Sequence, residues 1–450
     1  MELGPRVVIA GTHSGVGKTT IASGLMAAFT RRGVRAAPAK VGPDFIDPGY
    51  HSLATGRPGR NIDPWLCGPD VIPSLAARAG TDADLLIVEG VMGLFDGAGD
   101  GALSSTADVA TLLDAPVVLV VDAGGMSHSV AAVVHGFATL RPGVRVAGVI
   151  CNRVGSPRHA SMLAAALASI GVPMLGSLGR DDAFTWRDRH LGLVPVIEHP
   201  EQVRSALDRL ASAIERDCDL DAIARLASTA PRRPVPAPPL PAPVASVRVA
   251  VARGRAFSFS YEDNLEALQA AGAELIAFDP CEDRRLPEGI QALVAGGGFP
   301  EVYADALAEN VELLADLRTR AHEGLVVWAE CGGLIWLAER LDERAMAGVV
   351  ATTATMTDRL TLGYRRVQTS CPSPIGPSGT RLRGHEFHYS RVDPAGQPLA
   401  AVEPDGAPVG AWTDRTRFAS YLHVHLGGTP SVAAEFVRCA ARLDGAADNS

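Results

Sequence analysis

Residues 7–20 constrain this chain more than any other stretch: an apolar run ending at Ala10 opens directly into Gly11-Thr12-His13-Ser14-Gly15-Val16-Gly17-Lys18-Thr19-Thr20. A strand, a glycine-rich turn and Lys-Thr at the start of a helix are the setting of a phosphate-binding loop. Glycines let backbone amides approach phosphate oxygens, and the helix N-terminus favours their negative charge. Lys18 is expected at the β- and γ-phosphates and the Thr19 hydroxyl on Mg²⁺, with Gly15, Gly17 and Thr20 completing the nucleotide site. The strict pattern has glycine five residues before Gly17, where this chain has Thr12; Gly11 stands one residue earlier.

Such a loop calls for a parallel sheet. Nearly continuous Val, Ile and Leu runs at residues 7–10, 85–88, 117–121 and 146–150 read as strands buried on both faces. Helical stretches at 19–31 and 160–170 lie between them, which is α/β architecture. Residues 230–246, APRRPVPAPPLPAPVAS, then read as a semi-rigid extended linker, because proline lacks an amide hydrogen and favours polyproline geometry. Beyond it the alternation resumes, with strands at 247–252, 274–278, 292–295 and 326–329 and a helix near 263–271. The expected domains are therefore 1–229, a linker at 230–246, and 247–450.

Composition limits the function. The net charge of −9 argues against a nucleic-acid partner, which demands a basic surface. Seven scattered cysteines without a Cys-x-x-Cys pair suggest neither a disulfide framework nor a zinc site. With no leader-like start and no apolar run of the ~20 residues that span a bilayer, a soluble cytoplasmic protein without membrane partners is expected. Oligomeric state has no signature here, and a homodimer is compatible with the sequence.

Carboxylates recur where ligands of an open parallel sheet sit, beyond the carboxyl ends of strands. Asp44 and Asp47 lie in KVGPDFIDPGYH, and Glu89 and Asp96 in EGVMGLFDG. Asp44 and Glu89 are candidate Mg²⁺ partners beside Thr19, since that ion takes hard oxygen ligands. The competing reading makes such residues turn formers or helix caps, and it is strongest for Asp47 and Asp96 taken singly.

In the second half, VVWAECGGL reads as a strand, a sharp turn at Cys331 and a helix. An elbow of this kind lifts a nucleophile toward solvent, and the helix N-terminus favours its thiolate. A thiol needs a base, and His423 in YLHVH is the candidate. Gly296-Gly297-Gly298-Phe299-Pro300-Glu301 follows a strand and reads as an oxyanion loop, with the amides of Gly297, Gly298 and Gly332 as donors.

The order GGGFPE, AECGGL and a late YLH resembles class I glutamine amidotransferase domains, whose fold is flavodoxin-like α/β. Those domains place Glu two residues after the histidine; here that position is His425, so the orienting third member is expected to be missing. The loop variant resembles dethiobiotin synthetase-like enzymes and partition-type ATPases. Across both halves, GTHSGVGKTT, KVGPDFIDPGYH, RNIDPW, VEGVMGLFDG, CNRVGSPRH, GGGFPE, AECGGL, LTLGYR, GHEFHYS and ASYLH are similar, in order, to the family of cobyrinate and hydrogenobyrinate a,c-diamide synthases. That resemblance implies a ligase of cobalamin biosynthesis using ATP, Mg²⁺ and L-glutamine. Cys331 and His423 release ammonia, and the first domain activates a corrinoid carboxylate as an acyl-phosphate. It also implies Asp44 and Glu89 at nucleotide and metal, Asp47 and Asp96 near the reacting carboxylate, and residues 384–390 near the bound corrinoid or bracing the glutaminase domain. Alternatives are a cobyric acid synthase-like enzyme, another carboxylate amidotransferase, or a partition-type switch. The last requires a second loop lysine where this chain has His13, and has no use for Cys331 and His423.

Overall fold

The computed structural model describes residues 1–99, 101–180, 188–189, 192–193, 195–397, 399–402 and 408–447. They form two compact units, Met1–Pro238 and Pro239–Ser450.

The first unit is built on a seven-stranded, all-parallel sheet. Its order from one edge is Arg60–Ile62, Ala36–Val41, Leu85–Glu89, Arg6–Gly11, Val117–Asp122, Val146–Val154 and Met174–Gly179. The central strands are almost wholly apolar and buried, as two-sided coverage by helices requires. The connections that leave Arg6–Gly11 and its neighbour Leu85–Glu89 run to opposite sides of the sheet, so the residues after these strands lie at a topological switch point, where ligands of such sheets bind. Lys18–Arg31 leaves from that point.

The proline-rich segment is anchored at both ends, unlike a free linker. Glu2–Leu3 pairs antiparallel with Arg233–Pro234, and the Met1 ammonium donates to the Val235 carbonyl at 2.8 Å. Buried Arg6 donates to the carbonyls of Leu113 and Pro231, at 2.6 and 3.0 Å. Proline has lost its donor but not its acceptor, so a proline-rich strand can still be held by neighbouring N–H groups. On the far side, the Val244 amide bonds to the Ala271 carbonyl, within the second unit.

The second unit carries a six-stranded sheet in the order Ala273–Phe278, Val247–Ala252, Ala292–Ala295, Val326–Glu330, Arg417–Ser420 and Ala411–Thr413. All pairs are parallel except the last. A further sheet is organised by the long antiparallel pair Thr353–Gln368 and Arg381–Asp393, with His423–Val424 along its edge. Among the described residues no helix is long and apolar enough to cross a membrane.

Candidate functional site

The phosphate loop closes where the sequence expects it. Gly17 adopts φ 96°, a conformation that favours glycine, and the helix begins at Lys18. A Cβ at Gly17 would stand 2.4 Å from Asn152 Nδ2, which donates to the Val16 carbonyl at 2.8 Å. Arg153 donates to the Gly15 carbonyl at 3.0 Å and pairs with Asp122. Thr20 lies in the first helical turn, half-buried. Asn152 and Arg153 escaped the sequence reading of the site. The signal was available, because both are polar residues at the carboxyl end of an apolar strand.

Lys18 folds back over the loop, its Nζ 3.2 Å from the His13 carbonyl. Burial, and then the nearby charge of Lys40, bring its pKa down to about 8. The Thr19 hydroxyl donates to Glu89 Oε1 at 2.8 Å, with Asp47 Oδ2 at 3.2 Å. Between these two carboxylates sits the buried ammonium of Lys40, 2.6 Å from Asp47 Oδ2 and 2.9 Å from Glu89 Oε1. His51 Nε2 lies 2.6 Å from Glu89 Oε2. Burial opposes ionisation of both Lys40 and Glu89, but their mutual attraction wins. Lys40 is held above the usual lysine range, and Glu89, also bonded to His51, below the usual carboxylate range. Asp47 is pushed up by burial and by Asp44.

The acidic candidates therefore divide differently from the sequence reading. Asp47, expected near the reacting carboxylate, meets Thr19 together with Glu89. Asp44, expected at the metal, accepts the amides of Ile46 and Asp47 with Oδ1, at 2.8 and 2.9 Å, at the start of helix Asp47–Thr55. Asp96 is exposed and accepts the Gly93 amide at 2.8 Å. Lys40 and His51, which no motif rule singled out, are the polar centre of the cluster.

In the second unit, Cys331 sits between strand Val326–Glu330 and helix Gly332–Leu337 with φ 48° and ψ −98°, the strained turn of a nucleophile elbow. Two expectations change here. The residue is only 6% exposed instead of lifted into solvent, and burial pushes its thiol up, with Glu301 adding and the Gly332 amide opposing. A six-residue helix in a buried site does not offset that desolvation.

His423 packs against the glycine loop: a Cβ at Gly297 would lie 2.6 Å from His423 Cε1 and 3.3 Å from Nε2. A Cβ at Gly332 would lie 3.1 Å from the Gly298 nitrogen, so these two residues adjoin. The Gly297 amide is committed to the Phe259 carbonyl at 3.1 Å, which removes it from the expected oxyanion donors and leaves Gly298 and Gly332. His425 is held elsewhere: its Nδ1 accepts the Gly427 amide at 3.1 Å and its ring lies over Tyr261, centroids 4.6 Å apart. Asn264 clips the intervening backbone, donating to the Val424 carbonyl and accepting from the Leu426 amide, both at 2.7 Å.

Residues 384–390 pack against this segment. His385 pairs in register with His423, and burial, with His423 adding, lowers its pKa to about 3. Glu386 binds Arg365 Nε at 2.7 Å, and the His388 ring stacks on Tyr421 at 3.7 Å.

Residues 7–194 match the family model described as the CobQ/CobB/MinD/ParA nucleotide binding domain, and residues 248–430 the CobB/CobQ-like glutamine amidotransferase domain. A phosphate-loop unit followed by a cysteine elbow is thus a nucleotide-binding protein joined to a glutamine amidotransferase. The relatives narrow that class. A Streptomyces coelicolor protein named hydrogenobyrinate a,c-diamide synthase is 47% identical, with 97% of each chain covered. A Syntrophotalea carbinolica cobyrinate a,c-diamide synthase is 44% identical over 96% of this chain and 98% of its own. A Mycobacterium tuberculosis hydrogenobyrinate a,c-diamide synthase is 45% identical over 97% and 98%. The chain belongs to the family of cobyrinate and hydrogenobyrinate a,c-diamide synthases.

Proposed function

We propose that this protein converts the a and c carboxylates of cobyrinic or hydrogenobyrinic acid into amides, using glutamine as nitrogen donor and ATP as driving nucleotide. The observation that carries the reading is that one chain, alike along its length to relatives named for this reaction, has both a phosphate loop and a buried cysteine elbow, with His423 packed against the glycine loop beside it.

His423 takes the Cys331 proton as the sulfur attacks the amide carbon of glutamine. The oxyanion is met by the amides of Gly298 and Gly332, ammonia leaves, and water releases glutamate from the thioester. In the other unit a corrinoid carboxylate attacks the γ-phosphorus, giving acyl-phosphate and ADP. Ammonia then displaces phosphate to form the amide. Lys18 and the loop amides counter the charge of the transferring phosphoryl group, a reaction governed by positioning and electrostatics. Thr19, Glu89 and Asp47 would offer Mg²⁺ the hard oxygens it takes, the two carboxylates sharing theirs with the Lys40 ammonium, and the ion would take its remaining ligands from substrate phosphates and water. When bound, that ion neutralises phosphate charge. Asp96, beside the loop, is the candidate for the accepting carboxylate's surroundings, and Asp44 orders the turn that presents Asp47. The reaction belongs to the cytoplasm, where ATP and glutamine are supplied.

The test is turnover with Mg-ATP and glutamine, each ring acid supplied separately and products weighed by mass spectrometry. Two amides on one of the rings are expected. Glutamine hydrolysis with neither ring amidated would remove the corrinoid assignment.

A further inference from the structure

We propose that Glu330, the residue directly before Cys331, is the third member of the thiol site: a positioning residue that holds the His423 imidazole with its proton on Nδ1. The proposal rests on the reading of Cys331 and His423 as a glutaminase pair.

Glu330 ends the strand Val326–Glu330 and is buried. Its carboxylate is fixed through Oε1, which accepts the Val424 amide at 3.2 Å and the Trp328 indole N–H at 3.1 Å. The second oxygen, Oε2, then lies 3.4 Å from His423 Nδ1, within ion-pair range though not aligned as a hydrogen bond. One of the two donors is the backbone of the residue after His423, so acid and base are referenced to the same short segment. The opposite edge of the ring, Cε1 and Nε2, faces Gly297, next to the Gly298–Gly332 pair.

An acceptor at one imidazole nitrogen decides which nitrogen carries the proton. With Glu330 at Nδ1, the Nε2 lone pair faces the glycine loop and can receive the thiol proton; the carboxylate then stabilises the imidazolium, as the acid of a hydrolase triad does. The other titratable groups around the ring do not replace it. His385, on the adjacent strand, is kept neutral by burial. His425 and Asp263 meet each other at 4.0 Å beside Tyr261. Glu386 is engaged by Arg365 and faces His388 Nε2 at 3.5 Å. Glu301, Glu386 and Glu330 all act on the thiol through their charge, and Glu330 is also within ion-pair distance of His423. The acid that class I domains carry two residues after the histidine is thus supplied here from the nucleophile's own strand.

Glu330→Gln tests this with little change of shape. The amide oxygen can still accept from Val424 and Trp328, but the NH₂ group then faces Nδ1 and favours the wrong tautomer. Glutamine hydrolysis is expected to lose about 10²–10⁴-fold in kcat, the range for a mispositioned general base, with KM for glutamine little changed. Glu330→Asp should recover part of the loss. The acid limb of kcat/KM should move to lower pH in Glu330→Gln, because the imidazolium has lost its counter-charge. Wild-type kcat in Glu330→Gln, or an unmoved acid limb, would overturn the proposal. Near-ultraviolet circular dichroism reports whether the variant folds. Should it not, ¹⁵N spectra of the wild-type imidazoles decide: His423 protonated on Nδ1 supports the assignment and on Nε2 refutes it. Wild-type protein that releases no more glutamate than Cys331→Ala would instead sink the glutaminase reading, leaving the tautomer measurement to judge Glu330 separately.

Discussion

Replacing Lys40 with methionine should destabilise the first unit by about 3–5 kcal/mol, the loss typical when one partner of a buried ion pair is removed. The ammonium lies 2.6 Å from Asp47 Oδ2 and 2.9 Å from Glu89 Oε1, with all three residues buried. At an effective dielectric of about 20, the Lys40–Glu89 pair attracts by about 6 kcal/mol, and Asp47, whose carboxyl is pushed up by burial and by Asp44, adds less. Withdrawing each ion from water costs several kcal/mol, so the intact cluster is near balance. Removing the cation leaves two carboxylates with Thr19 and His51 as the nearest remaining donors. The pH dependence has a definite sign. Wild-type Glu89 has a depressed pKa, so its contribution is present above the ordinary carboxylate value and fades as pH falls through the folded value. In the variant the folded carboxylate pKa values rise instead, so the deficit should be largest at neutral pH and shrink as pH falls toward about 4. Amide exchange on peptides covering Ala36–Val41 and Leu85–Glu89, followed with urea, isolates this unit. Lys40→Met/Glu89→Gln should regain a large part of the loss. A deficit below about 1 kcal/mol at neutral pH, or one independent of pH, would refute the reasoning.

Gly17→Ala should cost about 1–3 kcal/mol and abolish tight nucleotide binding, because its Cβ meets Asn152 at a φ that disfavours alanine; titration with a fluorescent ATP analogue reads the loss. Lys18 has a pKa lowered to about 8, and an approaching phosphate raises it, so nucleotide binding at pH 8.5 should take up protons and weaken as pH climbs further. Calorimetry in buffers of different ionisation enthalpy measures that uptake, and none would contradict the buried placement of Lys18. Asn264→Ala removes both bonds to the Val424–Leu426 backbone and should lower glutaminase kcat about tenfold or more while leaving ATP binding intact. Parallel glutamate-release and nucleotide-titration assays separate the two.

The β-rich runs of both parallel sheets were legible because two-sided burial writes itself as continuous Val, Ile and Leu; residues 247–252 and 292–295 coincide with strands Val247–Ala252 and Ala292–Ala295. The long pair Thr353–Gln368 and Arg381–Asp393 was not, since its partly exposed faces mix Arg, Thr and Gly with few apolar residues. Lys18, Thr19 and Cys331 were proposed from local spacing, and His423 from its place in a late Tyr-Leu-His segment. Lys40, His51 and Glu330 depend on side chains meeting across strands, and no spacing rule encodes such a meeting. The elbow at Cys331 was readable, but its burial was not, because it depends on residues far along the chain, such as Ser420, whose carbonyl accepts the Cys331 amide at 2.8 Å, and Glu386.

The clasp between Glu2–Leu3 and Arg233–Pro234 brings the two ends of the first unit within hydrogen-bonding distance. A chain whose ends already touch can be rejoined and reopened elsewhere with little loss of loop entropy. The first unit is therefore suited to circular permutation: Met1 joined to the segment after Val235, and new ends cut in an exposed turn such as residues 142–143. Such a permutant would keep the phosphate loop in the interior of a closed topology, and would show whether the order in which its strands are synthesised matters to how that loop is formed.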